Sequence, residues 1–168
     1  AEADTNYKLG VKFFKSGNWE EAVKYWQLAV KLGHVGAIHD LGVLAYESED
    51  FTVARKLWLV AADKGVVAAM YHLAIMADEE GDAVEAKKWS KAAADAGNDT
   101  AMFNLGVTAE EEGNKQEAKD WYLRAAELGD TDAMINLGLM AHDEGDLDAE
   151  KMWMKRARPG SKGYKIAD

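Results

Sequence analysis

Residues 101–132 read AMFNLGVTAEEEGNKQEAKDWYLRAAELGDTD, and this stretch decides the fold. Ala101, Leu105, Gly106 and Ala109 fall on one stripe of a helix, because small or apolar residues spaced by about four share a face. Gly113 stands where a helix-closing glycine belongs. Asn114 followed by Glu117 has the spacing of an N-cap and its capping-box glutamate, which starts a second helix. That helix carries Ala118, Trp121, Tyr122 and Ala125 on one side, and Gly129 closes it. Thr131 or Asp132 then caps the next helix. Two helices joined by so short a turn pack as antiparallel neighbours.

The stretch is one copy of five. Leu9, Leu41, Leu73, Leu105 and Leu137 recur every 32 residues, each followed by Gly or, at Ala74, alanine. Ala29, Ala61, Ala93, Ala125 and Ala157 keep the same interval, as do Gly33, Gly65, Gly97 and Gly129. Gly17, Gly81, Gly113 and Gly145 mark the internal turn, and repeat two has Glu49 there instead. Asn18/Glu21 and Asp82/Glu85 repeat the capping box. A fixed period with no insertions is the signature of a stacked repeat array. The small residue beside each leucine is expected to let two helix backbones approach. Tyr25/Trp26, Trp58, Trp89, Trp121/Tyr122 and Trp153 are expected to fill the remaining space. Each ring buries roughly 150–250 Å², several kcal/mol per repeat at about 25 cal/mol per Å². One hairpin cannot bury its apolar face alone, so the repeats stack.

Composition agrees. The chain has 168 residues, 48% of them hydrophobic, enough for a core. Its single proline, Pro159, follows the last repeat. There is no cysteine, hence no disulfide, thiolate site or cysteine nucleophile. A net charge of −10 argues against nucleic acid and against an anionic membrane surface as partners. No apolar run is long enough to span a bilayer. The expected organisation is one array over 1–158, with repeats at about 5–36, 37–68, 69–100, 101–132 and 133–158, and a tail at 159–168.

The pattern A-M-x-N-L-G…E-A…W-Y…A-A-x-x-G-D, clearest in repeats four and five, resembles the Sel-one-like repeat, a relative of the tetratricopeptide repeat. The resemblance covers residues 6–157. It implies an all-α, right-handed α-solenoid with first helices lining a concave groove, and non-enzymatic scaffold or adaptor work. Some bacterial members staple each repeat with a cysteine pair, which this chain lacks. Relatives that clamp a chaperone's carboxylate use Lys and Asn where this chain has Tyr7 and Val11.

Charge is segregated by helix type. The first helices and turns of repeats two to five hold acids, among them Glu47, Asp78, Glu110 and Asp143, and no Lys or Arg. The second helices hold the bases, among them Arg55, Lys87, Lys119 and Arg124. Two readings stay open: an acidic groove rim that attracts a basic segment, or solvated acids that favour the following helix N-terminus.

A second stripe runs along the first helices: Tyr7, Val11, Phe14; His39, Val43, Tyr46; Tyr71, Ile75, Asp78; Phe103, Val107, Glu110; Ile135, Leu139, His142. It either lines the groove or packs between repeats. The expected partner-binding residues are Tyr7, His39, Tyr46, Tyr71, Phe103 and His142 for packing and Glu47, Asp78, Glu110 and Asp143 for charge. The four histidines lack a third clustered ligand, and no serine pairs with them as a nucleophile, so no metal, cofactor or catalysis is expected. Repeat one is basic on its first helix (Lys8, Lys12, Lys15). The last repeat exposes Met140, Met152 and Met154 unless a partner, a second copy or the tail with Tyr164 and Ile166 covers them. The function expected is a protein-interaction scaffold that binds a basic peptide or protein segment. The alternatives are a module that self-associates through its array ends, or the repeat region of a larger protein.

Overall fold

The computed structural model describes residues 1–158; the expected tail at 159–168, with Tyr164 and Ile166, lies outside the described residues. Among the described residues there are ten α-helices and no strand. They are α1 (Glu2–Lys15), α2 (Trp19–Lys31), α3 (Val35–Glu47), α4 (Phe51–Asp63), α5 (Val67–Glu79), α6 (Ala83–Asp95), α7 (Asp99–Glu111), α8 (Lys115–Glu127), α9 (Thr131–Asp143) and α10 (Leu147–Ala157). The architecture is an all-α solenoid of helix-turn-helix repeats. The chain divides into two compact units, 1–86 and 87–168, with the division inside α6.

Every connection is three residues long, and most share one chemistry; Val66, before α5, gives no side-chain cap. The first hairpin shows the shared chemistry. Gly17 sits at φ +79, its N–H bonds to Phe14 O, and the Asn18 N–H reaches back to Phe13 O, which satisfies the last carbonyls of α1. The Asn18 side chain then accepts from the Glu21 N–H and opens α2. Asp50, Asp82, Asn98, Asn114, Asp130 and Asp146 cap in the same way. The cap of α9 is therefore Asp130, one or two residues before the expected Thr131 or Asp132, because the glycine and the cap are adjacent. His34 caps α3 through Nδ1, which accepts from Ala37 N–H at 3.1 Å. Glu49 adopts the same turn at φ +61, the one positive-φ residue other than glycine among the described residues. A side chain in that region costs about 1–2 kcal/mol.

In the first unit, α1/α2 and α3/α4 are antiparallel pairs, and α2 packs on α3 and α4 on α5. Ala22, Trp26, Ala29, Ala37 and Leu44 form a buried cluster, with Tyr7, Val11, Phe13 and Phe14 packed against it. In the second unit α7/α8 and α9/α10 pair, and α8 packs on α9. Tyr122, Met134 and Leu137 are its largest fully buried side chains.

The glycine beside Leu9, Leu41 and Leu105 makes room for a ring, not for a backbone. A Cβ on Gly10 would lie 2.3 Å from Trp26 Cδ1, one on Gly42 2.5 Å from Trp58 Nε1, and one on Gly106 2.4 Å from Tyr122 Cε1. On Gly138 it would meet the flexible Met154 Cε at 2.8 Å. The third repeat carries Ala74 and Ser90 at these two register positions.

Candidate functional site

The side chains on the second stripe of the first helices are tied into the array. In the first unit they form a chain of contacts across three repeats. The Tyr7 ring stacks on His34, centroids 4.1 Å apart, and its hydroxyl donates to Asp40 Oδ2 at 2.7 Å. Burial, then the hydrogen bond and charge of Asp40, push the Tyr7 hydroxyl up to about 12. Asp40 Oδ1 lies 3.1 Å from His39 Nδ1. The His39 ring stacks on His72 at 5.1 Å, and His72 stacks on Trp58 at 4.8 Å. Trp58 Nε1 donates to the His39 carbonyl at 3.2 Å. Burial first, and His39 second, lower the His72 pKa. Tyr71 is half-buried beside His72, ring centroids 6.1 Å apart. The Tyr46 hydroxyl donates to Glu79 Oε2 at 2.6 Å, which raises its pKa.

In the second unit Phe103 lies against Tyr122 at 5.7 Å. Tyr122 is fully buried, yet its hydroxyl reaches the exposed Glu110 carboxylate at 2.6 Å. Burial, chiefly, raises its pKa strongly. His142 is exposed and 3.1 Å from Glu150, whose hydrogen bond and charge raise its pKa. Where a repeat has a successor in its unit, the stripe is half-buried, as at Tyr7, Val43 and Phe103. In the last repeat the equivalent Ile135 and Leu139 are 37% and 53% exposed.

The charge segregation resolves into two sets. Arg55 pairs with Glu80, Lys87 with Glu112 at 3.4 Å and Lys119 with Glu144 at 3.3 Å. Each pair spans 25 residues, from a second helix to the acid that ends the next first helix. Carboxylates there oppose the helix macrodipole, and the base offsets that. All are solvent-facing, so each contributes under about 1 kcal/mol. The other set is Glu47, Asp78, Glu111 and Asp143. They are exposed and have no hydrogen-bond or ion-pair partner for their side chains among the described residues. Sequence reading missed the pairing because a 25-residue separation has meaning only once the repeats are stacked.

No group of three His, Asp or Glu among the described residues could hold a metal ion. No helix among them is long and apolar enough to cross a membrane.

The Sel1 repeat model matches residues 3–34, 100–130 and 131–151, and a tetratricopeptide repeat model matches 39–99. The chain belongs to the Sel1 repeat family. The middle of the Sel1 array, where the other model matches, is also where Glu49, Ala74 and Ser90 depart from the register. Among solved structures it is similar to c5321, a protective antigen of uropathogenic Escherichia coli with an SLR fold. Identity is 25% and the TM-score 0.77, over 93% of this chain and 38% of that one. It is similar to a Sel1 repeat protein from Oxalobacter formigenes at 23% identity and TM-score 0.73, over 93% and 72%. The pilF protein of Pseudomonas aeruginosa shares the fold at 18% identity and TM-score 0.66, over 97% and 79%. This Sel1 array therefore spans little more than a third of the antigen's length. No curated protein matches the sequence. Sel1 and tetratricopeptide repeats generally serve as protein-interaction scaffolds and are typically non-enzymatic.

Proposed function

We propose that this Sel1 array is a scaffold that holds a basic segment of a partner protein along its first helices. The observation that carries this is the unpaired set Glu47, Asp78, Glu111 and Asp143 at the ends of successive first helices. Those helices hold no Lys or Arg in repeats two to five. Glu47 and Asp78 in the first unit, and Glu111 and Asp143 in the second, each raise the local concentration of a cationic segment within a Debye length of about 8 Å at physiological salt. Tyr7, His39, Tyr46 and Tyr71 in the first unit, and Phe103 and His142 in the second, supply ring surface against which it packs. Glu110 acts differently, because it holds Tyr122 in place.

The test is affinity capture from the source lysate with wild type beside a Glu47→Lys/Asp78→Lys/Glu111→Lys variant. A basic protein held by wild type alone supports the reading. A partner held equally by both overturns the acidic part of it. The exposed Ile135 and Leu139 favour one second reading, self-association through the array end. Light scattering over a concentration series tests that reading, and a constant monomer mass refutes it.

A further inference from the structure

Repeats one and two differ from the later three at the turn between first and second helix. In repeat one, the core Trp26 contacts Phe14 at 5.5 Å, and Phe14 stacks on Trp19 at 6.4 Å. In repeat two, Trp58 contacts Tyr46 at 5.5 Å, and Tyr46 meets Phe51 edge-on at 5.3 Å. Each is a three-ring ladder from the core to the surface. Its last ring is left in water: Trp19 is 54% exposed and Phe51 47%. The later repeats have Ala83, Lys115 and Leu147 at this register position, and Asp78, Glu110 and His142 at the middle one.

Acids also flank Phe51 along the chain. Glu47, Glu49 and Asp50 precede it, and Glu79 is bound to the ring behind it. Arg55, one turn along α4, is already committed to Glu80. Trp19 has Glu20 and Glu21 beside it, and Lys15 before it on α1. Glu49 holds a backbone conformation that the four equivalent turns assign to glycine, and its carboxylate is exposed. A strained acid next to an exposed, rigidly backed ring is the arrangement of a binding anchor, since strain and solvent-facing aromatics both cost stability.

We infer that Trp19 and Phe51, with Glu47, Glu49 and Asp50, form a docking rim for an arginine-bearing segment of the partner. The guanidinium lies on the exposed ring face and the carboxylates neutralise it. Arginine is favoured over lysine because its planar, weakly hydrated cation stacks on a ring while its N–H fork meets carboxylates. This rests on the proposed basic-segment reading and names the part of the surface that reads side-chain identity.

The experiment is fluorescence anisotropy with fluorescein-labelled octa-arginine and octa-lysine at physiological ionic strength. Both carry the same charge, so their ratio removes the common Coulombic part, and its change in the ring variants reads the ring contribution. Wild type is expected to prefer the arginine peptide by about tenfold, roughly threefold for each ring. Trp19→Ala/Phe51→Ala, and the milder Trp19→Leu/Phe51→Leu, should bring the ratio near one with thermal unfolding still cooperative. Glu49→Gly should raise the melting temperature by a few degrees and weaken the arginine peptide. Equal affinity of wild type for the two peptides, or a preference that survives both double variants, overturns the inference. If Glu47→Lys/Asp78→Lys/Glu111→Lys still weakens both peptides in that case, the basic-segment reading stands without the rim. If wild type binds neither peptide, both readings fall.

Discussion

Replacing Gly42 with alanine adds one methyl group at a crowded point of the second hairpin. Its Cβ would lie 2.5 Å from Trp58 Nε1 and 2.6 Å from Cδ1. Trp58 is only 2% exposed and has no direction in which to yield freely. Overpacking of this kind costs about 1–3 kcal/mol. A displaced ring also loses its bond to the His39 carbonyl, about 1 kcal/mol. Against this, alanine is favoured over glycine inside a helix by about 1 kcal/mol. The net expectation is a loss of about 1–3 kcal/mol. Gly10→Ala meets an equally close ring, Trp26, but the Trp26 Nε1 has no hydrogen bond to lose, so its loss should be smaller. Gly138→Ala meets the mobile end of Met154, which can swing aside, and helix propensity should make it neutral or slightly stabilising. Urea unfolding followed by far-ultraviolet circular dichroism ranks the three variants. The reasoning is refuted if Gly42→Ala is as stable as wild type, or if Gly138→Ala is the worst of the three.

Three further outcomes follow from the same geometry. His72 has a folded pKa below its ordinary value because burial disfavours its charged form. Above about pH 6.5 both states are neutral; below it the unfolded chain takes the proton first, so stability falls from there until the folded value is passed. Comparing wild type with His72→Gln between pH 7.5 and 5 checks this, and an equal slope for the two contradicts it. Tyr122→Phe leaves the exposed Glu110 solvated and removes one charge-assisted bond, so a loss of about 1.5–3 kcal/mol is expected by denaturant titration. Lys119→Ala should shift stability by less than about 1 kcal/mol, and raising the salt concentration should shrink that difference further.

The hairpins were legible because their signals are local. The period, the glycine closures and the Asn/Asp caps lie within a few residues of one another, so Gly113, Asn114 and Glu117 announce a turn without any tertiary knowledge. The buried sides of α7 and α8 were legible for the same reason, as Leu105, Gly106, Trp121 and Tyr122 show. The fate of the polar residues was not. Tyr7 with Asp40, Tyr46 with Glu79, and Lys87 with Glu112 are 25 or 33 residues apart. Only the offset between stacked repeats brings them together. His34 reads as a spare histidine in the sequence, yet it is an N-cap, because an imidazole nitrogen can do what a carboxylate does at that position. The role of the small residues was half legible: a close approach was signalled, but not that a ring makes it.

The three-residue connections leave the chain no slack. A single residue serves both ends of each one: in the first turn, the Asn18 N–H closes α1 and its side chain opens α2. Inserting or deleting one residue inside a helix turns everything beyond it by about 100°. A change between Gly10 and Trp26, or between Gly106 and Tyr122, would point the ring away from its glycine, and the bonds at an offset of 25 or 33 that span the change would be lost together. The array thus behaves like a reading frame. Its length can change by whole 32-residue steps, where a new hairpin meets its neighbours in phase, far more readily than by any shorter step.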